Sequence, residues 1–351
     1  MFSSLPFGFM FIFVTLFGTI FSISSSHWLG VWVGLEINLI GFLPVLVYQK
    51  STSESESAVK YFVVQALGSG LLIFGSLTNC SLSYTWEMMM DSSIPGFIII
   101  LSGLIIKMGM FPFHFWLPSV MAGLPWVSCL LLATWQKIAP LFLISSFLEA
   151  GILYSFIILL SLMASGSSII GGIGGMNQTQ VRAILAYSSI GHLGWIVFAS
   201  CQGVWAMKSY FSIYLVISVS VFMALWYLNL NNIKNLTDLM TPDPWKTFSI
   251  MVMLLSLGGL PPLLGFISKW VVVSSSMNSN FWIFLFFLIL GSVLSLFYYL
   301  SLYFSIFLGS SKSMYMNMKT YPKMMLFLTT ALLLNLSGGL VLIFLNLLKE
   351  F

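Results

Sequence analysis

The chain has 351 residues, 59% hydrophobic, 16% aromatic and only 6% charged, with a mean hydropathy of +1.03 and a formal net charge of +4. Apolar runs of about 20 residues recur from end to end, each long enough to cross a bilayer core, which points to an all-α polytopic membrane protein. A barrel would show segments of about 10 residues with alternating polarity, and the sequence has none.

The apolar runs predict about eleven helices, at 5–24, 28–48, 58–78, 95–121, 125–146, 149–175, 182–200, 208–230, 246–277, 279–308 and 322–347. Residues 49–57, 79–94, 231–245 and 309–321 read as the only appreciable polar connections, and none could fold as a soluble catalytic domain. No charged start with a small-residue cleavage site precedes the first span, so the N-terminus reads as mature. Cys80, Cys129 and Cys201 are far apart and join no Cys/His cluster, so neither an iron–sulfur nor a zinc site is encoded and no cofactor or metal is expected in this chain.

Each basic residue can be assigned to a side. One face receives Lys50, Lys60, Arg182, Lys234, Lys246, Lys312, Lys319 and Lys323, the other only Lys208 and Lys349, together with Glu87, Asp91, Glu149 and Glu350. By the positive-inside rule the N-terminus then faces the cytoplasm or its organellar equivalent, with the C-terminus opposite.

Two predicted spans are long and interrupted by proline. In 95–121 the run GLIIKMGMFPFHFWLP holds Pro112 and Pro118, and in 246–277 the run SLGGLPPLLGFISKW holds Pro261 and Pro262 beside Gly258 and Gly259. Proline removes an amide donor and clashes with the preceding turn, so both helices should break near mid-membrane. These spans are five apart, which suggests inverted five-helix repeats over 1–146 and 147–308, followed by a basic loop and final helix in 309–351, all in one transmembrane domain.

The remaining three basic residues, Lys107, Lys137 and Lys269, lie inside apolar spans, where an ammonium costs several kcal/mol and therefore marks an ion pathway, most simply one for protons. Glu36, in WVGLEINLIGFLP, is the acid expected to pair with Lys107; the plainer reading is a pair kept for packing specificity. Lys137, about 18 Å along its span from Pro125, is the central proton carrier. Lys269 is a terminal relay, or a lysine snorkelling from the far half of its broken helix. His114 and His192 could hand protons between lysines, although a lone helical histidine is often only a hydrogen-bonded core residue. His27 and Glu149 sit near span ends, and the serines around 165–168 and 187–189 either support water chains or bond back to helix carbonyls. GGIGGM at 171–176 ends an apolar helix and follows no strand, so it reads as close helix packing and not as a nucleotide loop.

The motifs WVGLEINLIGFLP, KYFVVQALGS, KMGMFPFHFWLPSVMAGLPW, TWQKIAP, NQTQVRAILAYSSIGHLGW and GGLPPLLGFISKW, in that order, resemble the antiporter-like membrane subunits of respiratory complex I, mitochondrial NADH:ubiquinone oxidoreductase, and its chain 2 family in particular. The resemblance implies a fourteen-helix plan shortened by three at the start, as in the animal mitochondrial form. It implies that Glu36, Lys107, Lys137 and Lys269 form a proton path of half-channels joined by a hydrated axis. It also implies a mitochondrial inner membrane location, partnership with other membrane subunits and lipids, cardiolipin among them, and no direct binding of NADH, flavin, iron–sulfur cluster or nucleic acid. A cation/proton antiporter subunit and a structural scaffold are the alternatives, separable by sodium dependence and by an apolar substitution at Lys137.

Overall fold

The computed structural model describes residues 8–48, 51–83, 94–149, 154–228, 244–277, 279–309 and 326–338, and the regular elements among them are helical. In chain order they are α1 (Gly8–Ser24), α2 (Trp28–Leu46), α3 (Thr52–Ser83), α4 (Ile94–Met108), α5 (Trp116–Gly123), α6 (Trp126–Ala133), a 3-10 turn (Trp135–Lys137) and α7 (Ile138–Glu149). There follow α8 (Tyr154–Gly175), α9 (Val181–Gln202), α10 (Val204–Leu228), α11 (Pro244–Gly258), α12 (Leu264–Ser276), α13 (Trp282–Gly309) and the short apolar α14 (Leu326–Gly338). Seven stretches among the described residues are long and apolar enough to cross a membrane, and the shorter apolar helices include the arms Pro95–Met108 and Phe248–Gly258 that end where the helix is interrupted. The predicted loops 231–245 and 309–321 fall almost wholly outside the described residues, as do Lys50, Lys234, Lys312, Lys319, Lys323, Lys349, Glu87, Asp91 and Glu350.

The chain forms two compact units, Met1–Leu159 and Leu160–Phe351. Lipid gives helices no hydrophobic reason to associate, so close van der Waals approach at small residues must do it. In the first unit α1 meets α2 this way, with Gly34 against Ser22 and Gly41 against Thr15, and α3 crosses α4 where Gly68 and Gly103 each face the other's carbonyl. In the second unit Gly171 of α8 lies against Gly191 of α9, and Gly174 and Gly175 against the rings of Tyr187 and Tyr298, which is the close packing expected of GGIGGM. α9 is largely enclosed, whereas α13 turns Ile283, Phe286, Val293 and Phe297 outward, the face such a helix would give to lipid.

Two predictions are corrected. Residues 49–57 were expected as a connection, but α3 begins at Thr52 and runs through SESESAVK. The Glu54 amide donates to Ser51 Oγ at 3.3 Å, an N-cap with the S-x-x-E spacing, and Lys60 pairs with Glu56 one turn away at 2.6 Å. Residues 125–146 were expected as one helix, but the 3-10 turn divides them at Lys137. Pro140 has no amide to offer the Gln136 carbonyl and its ring crowds that carbonyl, so a continuous α-helix cannot pass through this point unstrained. Pro140 instead sits in the first turn of α7, where its missing donor costs nothing.

The tightest crossing is that of α12 on α11, where a Cβ on Gly265 would overlap the Ser256 carbonyl. Gly265→Ala is expected to destabilise the protein by about 1–3 kcal/mol through this overlap. Gly70→Ala, where an added Cβ meets nothing, should leave stability unchanged or slightly raised. Thermal unfolding of the two variants side by side checks the contrast.

Candidate functional site

The first unit holds Glu36, Lys107, Lys137 and His114. α4 ends in a Schellman turn: Gly109 takes a φ of +74°, and the Met110 amide reaches back to the Ile105 carbonyl at 3.2 Å. The chain then runs through Pro112 in irregular backbone before α5 starts at Trp116. Such a break leaves carbonyls without water at membrane depth, and two buried side chains meet them. Trp116 Nε1 donates to the Ile106 carbonyl at 3.1 Å, and Gln65 Nε2 of α3 donates to the Lys107 carbonyl at 3.2 Å. Lys107 itself is buried, its stem passing over Gly68, where an added Cβ would stand 3.0 Å from the Lys107 Cγ.

Glu36 acts electrostatically on Lys107 without a direct salt bridge, and its Oε1 is buried with no hydrogen-bond donor among the described residues. Two residues along α2, Asn38 forms a reciprocal amide pair with Gln136: Asn38 Nδ2 donates at 2.7 Å and Gln136 Nε2 returns a bond at 3.1 Å. The Tyr61 hydroxyl of α3 lies 3.5 Å from the same Gln136 Oε1. This amide pair fastens the 3-10 turn to α2, and Lys137, 2% exposed, is the next residue in that turn. His114 is buried in the α4–α5 break, with Nδ1 3.1 Å from the Pro112 carbonyl. A carbonyl only accepts, so Nδ1 carries a proton and the histidine ties the break's own backbone.

The second unit holds Lys269 and His192. α11 ends at Gly258, Gly259 takes a φ of +81°, and Pro261 and Pro262 occupy the break before α12. From α12, Lys269 reaches back and donates from Nζ to the Gly258 carbonyl at 2.8 Å, so the lysine caps the negative end of the preceding half-helix. The left-handed φ at Gly259 favours glycine, and a Cβ there would stand 2.8 Å from that Nζ, so the lysine tip would have to shift. His192 of α9 is buried, with Nδ1 3.0 Å from the Tyr210 hydroxyl. Lys269 and His192 line one cavity with Ser188, Trp195, Tyr298 and Tyr299; it offers roughly 10 Å³ to water centres, room for about one water. The hydroxyls of Tyr298 and Tyr299 are buried and meet no hydrogen-bond partner of good geometry among the described residues. Ser165, Ser167, Ser168, Ser188 and Ser189 all bond back to helix carbonyls.

Sequence reasoning singled out the charged residues and noted Asn38 only as a polar neighbour of Glu36, and it missed Tyr61, Gln65 and Gln136 and the bonds that they make. Pro140 was the available signal for the turn at Gln136; the neutral residues carry none. No group of three or more His, Cys, Asp and Glu side chains stands together among the described residues.

An all-helical membrane fold with two interrupted helices, each bearing a lysine at its break, defines an antiporter-like transmembrane subunit. The family model described as "NADH:quinone oxidoreductase/Mrp antiporter, TM" matches residues 25–295. The chain is 38% identical to NADH-ubiquinone oxidoreductase chain 2 of Anopheles gambiae over 336 residues, 95% of this chain and 96% of that one. It is 39% identical to the protein of the same name from Lumbricus terrestris over 290 residues, 82% and 83% of the two chains. A solved structure of respiratory complex I from Thermus thermophilus contains a similar fold, with a TM-score of 0.83 at 24% identity, over 97% of this chain and 79% of that one. The chain therefore belongs to the NADH:quinone oxidoreductase/Mrp antiporter transmembrane family, in its NADH-ubiquinone oxidoreductase chain 2 branch.

Loss of the amide pair should be measurable on its own. Gln136→Leu is expected to cost about 1–3 kcal/mol by leaving the buried Asn38 amide unpaired. The double change Asn38→Leu with Gln136→Leu should cost less than the sum of the single changes, because neither partner is then orphaned. A double-mutant cycle on thermal or denaturant unfolding reads the coupling.

Proposed function

We infer that this chain is a proton-translocating membrane subunit of NADH:ubiquinone oxidoreductase in the mitochondrial inner membrane, with its N-terminus on the matrix side. The observation that carries the reading is identity of 38% sustained over nearly the whole of both chains with a relative of that name. Glu36, Lys107, Lys137 and Lys269 are the proposed proton path, with His114 and His192 as relays and the breaks at Pro112, Pro261 and Pro262 opening the helices to it. The two five-helix stretches, 1–146 and 147–308, are proposed as inverted repeats, each contributing one broken helix.

The energy must come from elsewhere. Moving a unit charge against the membrane potential costs about 2.3 kcal/mol per 100 mV, and NADH, flavin, iron–sulfur clusters and ubiquinone are assigned to other subunits. Ubiquinone reduction there would shift charge along neighbouring membrane subunits and alter the Glu36–Lys107 couple. With the Glu36 carboxylate turned to Lys107, the ammonium is stabilised; with the two apart, the lysine proton is released toward Lys137. Lys137 is the central carrier of this path and Lys269 its terminal relay. At the far end, deprotonation of Lys269 weakens a charge-assisted bond to the Gly258 carbonyl, so proton release and the joint between α11 and α12 change together. Neighbouring membrane subunits and lipids, with cardiolipin beside the basic connections, are the partners.

Native separation of detergent-solubilised membranes should place this chain with NADH:ubiquinone reductase activity. Migration alone or in a small cation transporter would sink the reading. In the assembled complex Lys137→Met is expected to abolish the chain's share of proton pumping while assembly survives, and turnover should not depend on sodium. Proton-to-electron ratios in sealed vesicles, with and without sodium, check both outcomes.

A further inference from the structure

The backbone gives the turn at Lys137 a loose hold. The Lys137 amide donates to the Thr134 carbonyl at 3.3 Å, a long bond, and the Ile138 amide donates to the Trp135 carbonyl. On the α6 side, the Thr134 amide and its Oγ1 share a single acceptor, the Leu130 carbonyl, at 3.0 and 2.6 Å. On the α7 side, Pro140 offers the Gln136 carbonyl no donor. The turn therefore leans on side chains, and Gln136 supplies a double tie through its reciprocal bonds to Asn38 at 2.7 and 3.1 Å.

The other end of that tie is rigid. Asn38 is buried, and Gly18 of α1 lies so close behind it that an added Cβ would stand 2.5 Å from the Asn38 amide nitrogen. Gly34 and Gly41 rest in the same way against Ser22 and Thr15 of α1, so α2 is fixed to α1 both before and after Asn38. The same helix carries Glu36, two residues earlier. Each amide of the pair both donates and accepts, so the two bonds persist whatever the charge of the lysine beside them. A lysine that carries protons alternates between an ammonium and a neutral amine, and a grip that depended on its charge would slacken at each release. Proton transfer also needs its partners within about 3 Å, so even a small shift of the turn would slow it.

We propose that Asn38 and Gln136 are positioning residues for Lys137, their neutral pair holding the 3-10 turn at one place on α2 through both charge states of the lysine. Neither amide gains or loses a proton, and no covalent bond changes. This inference deepens the reading of Lys137 as the central proton carrier and rests on it.

The test uses the assembled complex in sealed vesicles, with pumping normalised to the amount assembled and this chain's share defined as what Lys137→Met removes. Asn38→Leu and Gln136→Leu should each lower that share about tenfold, the scale expected when a reacting group is misplaced by less than about 1 Å. The double variant should regain thermal stability, because no buried amide is then orphaned, yet regain none of the pumping. A purely structural pair would let pumping recover with stability, so recovery of both overturns the proposal, as does a normal share in either single variant. Adding Gln136→Leu to Lys137→Met should leave the remaining pumping of the complex unchanged, and a further fall there would mean general damage and equally overturn it. Gly75→Ala, a packing change against Ile100 of α4 in the same unit, should lose stability and keep the share; a share lost there as well would make the effect of the pair nonspecific and sink the positioning role. Should the single variants fail to assemble, the double variant, which orphans no amide, carries the test with the same expected loss. Lys137→Met separates the two levels: normal pumping in that variant removes the proton-carrier reading itself, whereas blocked pumping there beside a normal double variant removes only the positioning role.

Discussion

A broken helix inside a membrane exposes carbonyls that no water can reach, and the answer to that constraint organises both units of this protein. At the end of α4 the Ile106 and Lys107 carbonyls are met by Trp116 and Gln65. At the end of α11 the Gly258 carbonyl is met by the Lys269 ammonium. The donors that repair the backbone are thus drawn from the same few polar side chains that surround the charged groups. Structural repair and the proposed ion chemistry draw on one set of residues.

The two breaks use opposite arrangements. Lys107 belongs to the helix that ends, so its own carbonyl needs a cap and receives one from a neutral amide on α3. Lys269 belongs to the helix that begins, and its side chain is the cap. A charge change at Lys107 leaves the backbone bond intact, while a charge change at Lys269 acts on the joint between two half-helices directly. The third interruption, at Trp135–Lys137, is tied to α2 by the neutral Asn38–Gln136 pair, with the Tyr61 hydroxyl of α3 3.5 Å from the same Gln136.

How much of this was legible depends on the kind of signal. Glu36, Lys107, Lys137 and Lys269 stand out because charge is rare in apolar spans, and the interruptions at Pro112, Pro261 and Pro262 because proline beside glycine ends helices. The helical start at SESESAVK was hidden because hydropathy registers its charge and ignores the Ser51 cap. The turn at Lys137 was hidden although Pro140 announced it, since the apolar run over 125–146 continues on both sides of the proline and hydropathy does not register the missing amide. Asn38 and Gln136 are 98 residues apart and Tyr61 and Gln136 are 75 apart, so neutral polar partners at such separations leave no local trace.

The cavity beside Lys269 also bears on which ion could pass. With room for about one water, it cannot admit a metal cation together with its hydration shell. A stripped cation would need replacement oxygens; the Ser168 and Ser188 hydroxyls lining the cavity are turned onto helix carbonyls, which leaves the Tyr298 and Tyr299 hydroxyls, and no carboxylate is among the lining residues to balance its charge beside Lys269. A proton needs neither shell nor cage, because it moves by exchange along hydrogen bonds. In the proposed reading the narrowness of the space would therefore favour protons over sodium, through the cost of dehydration and not through a dedicated binding group.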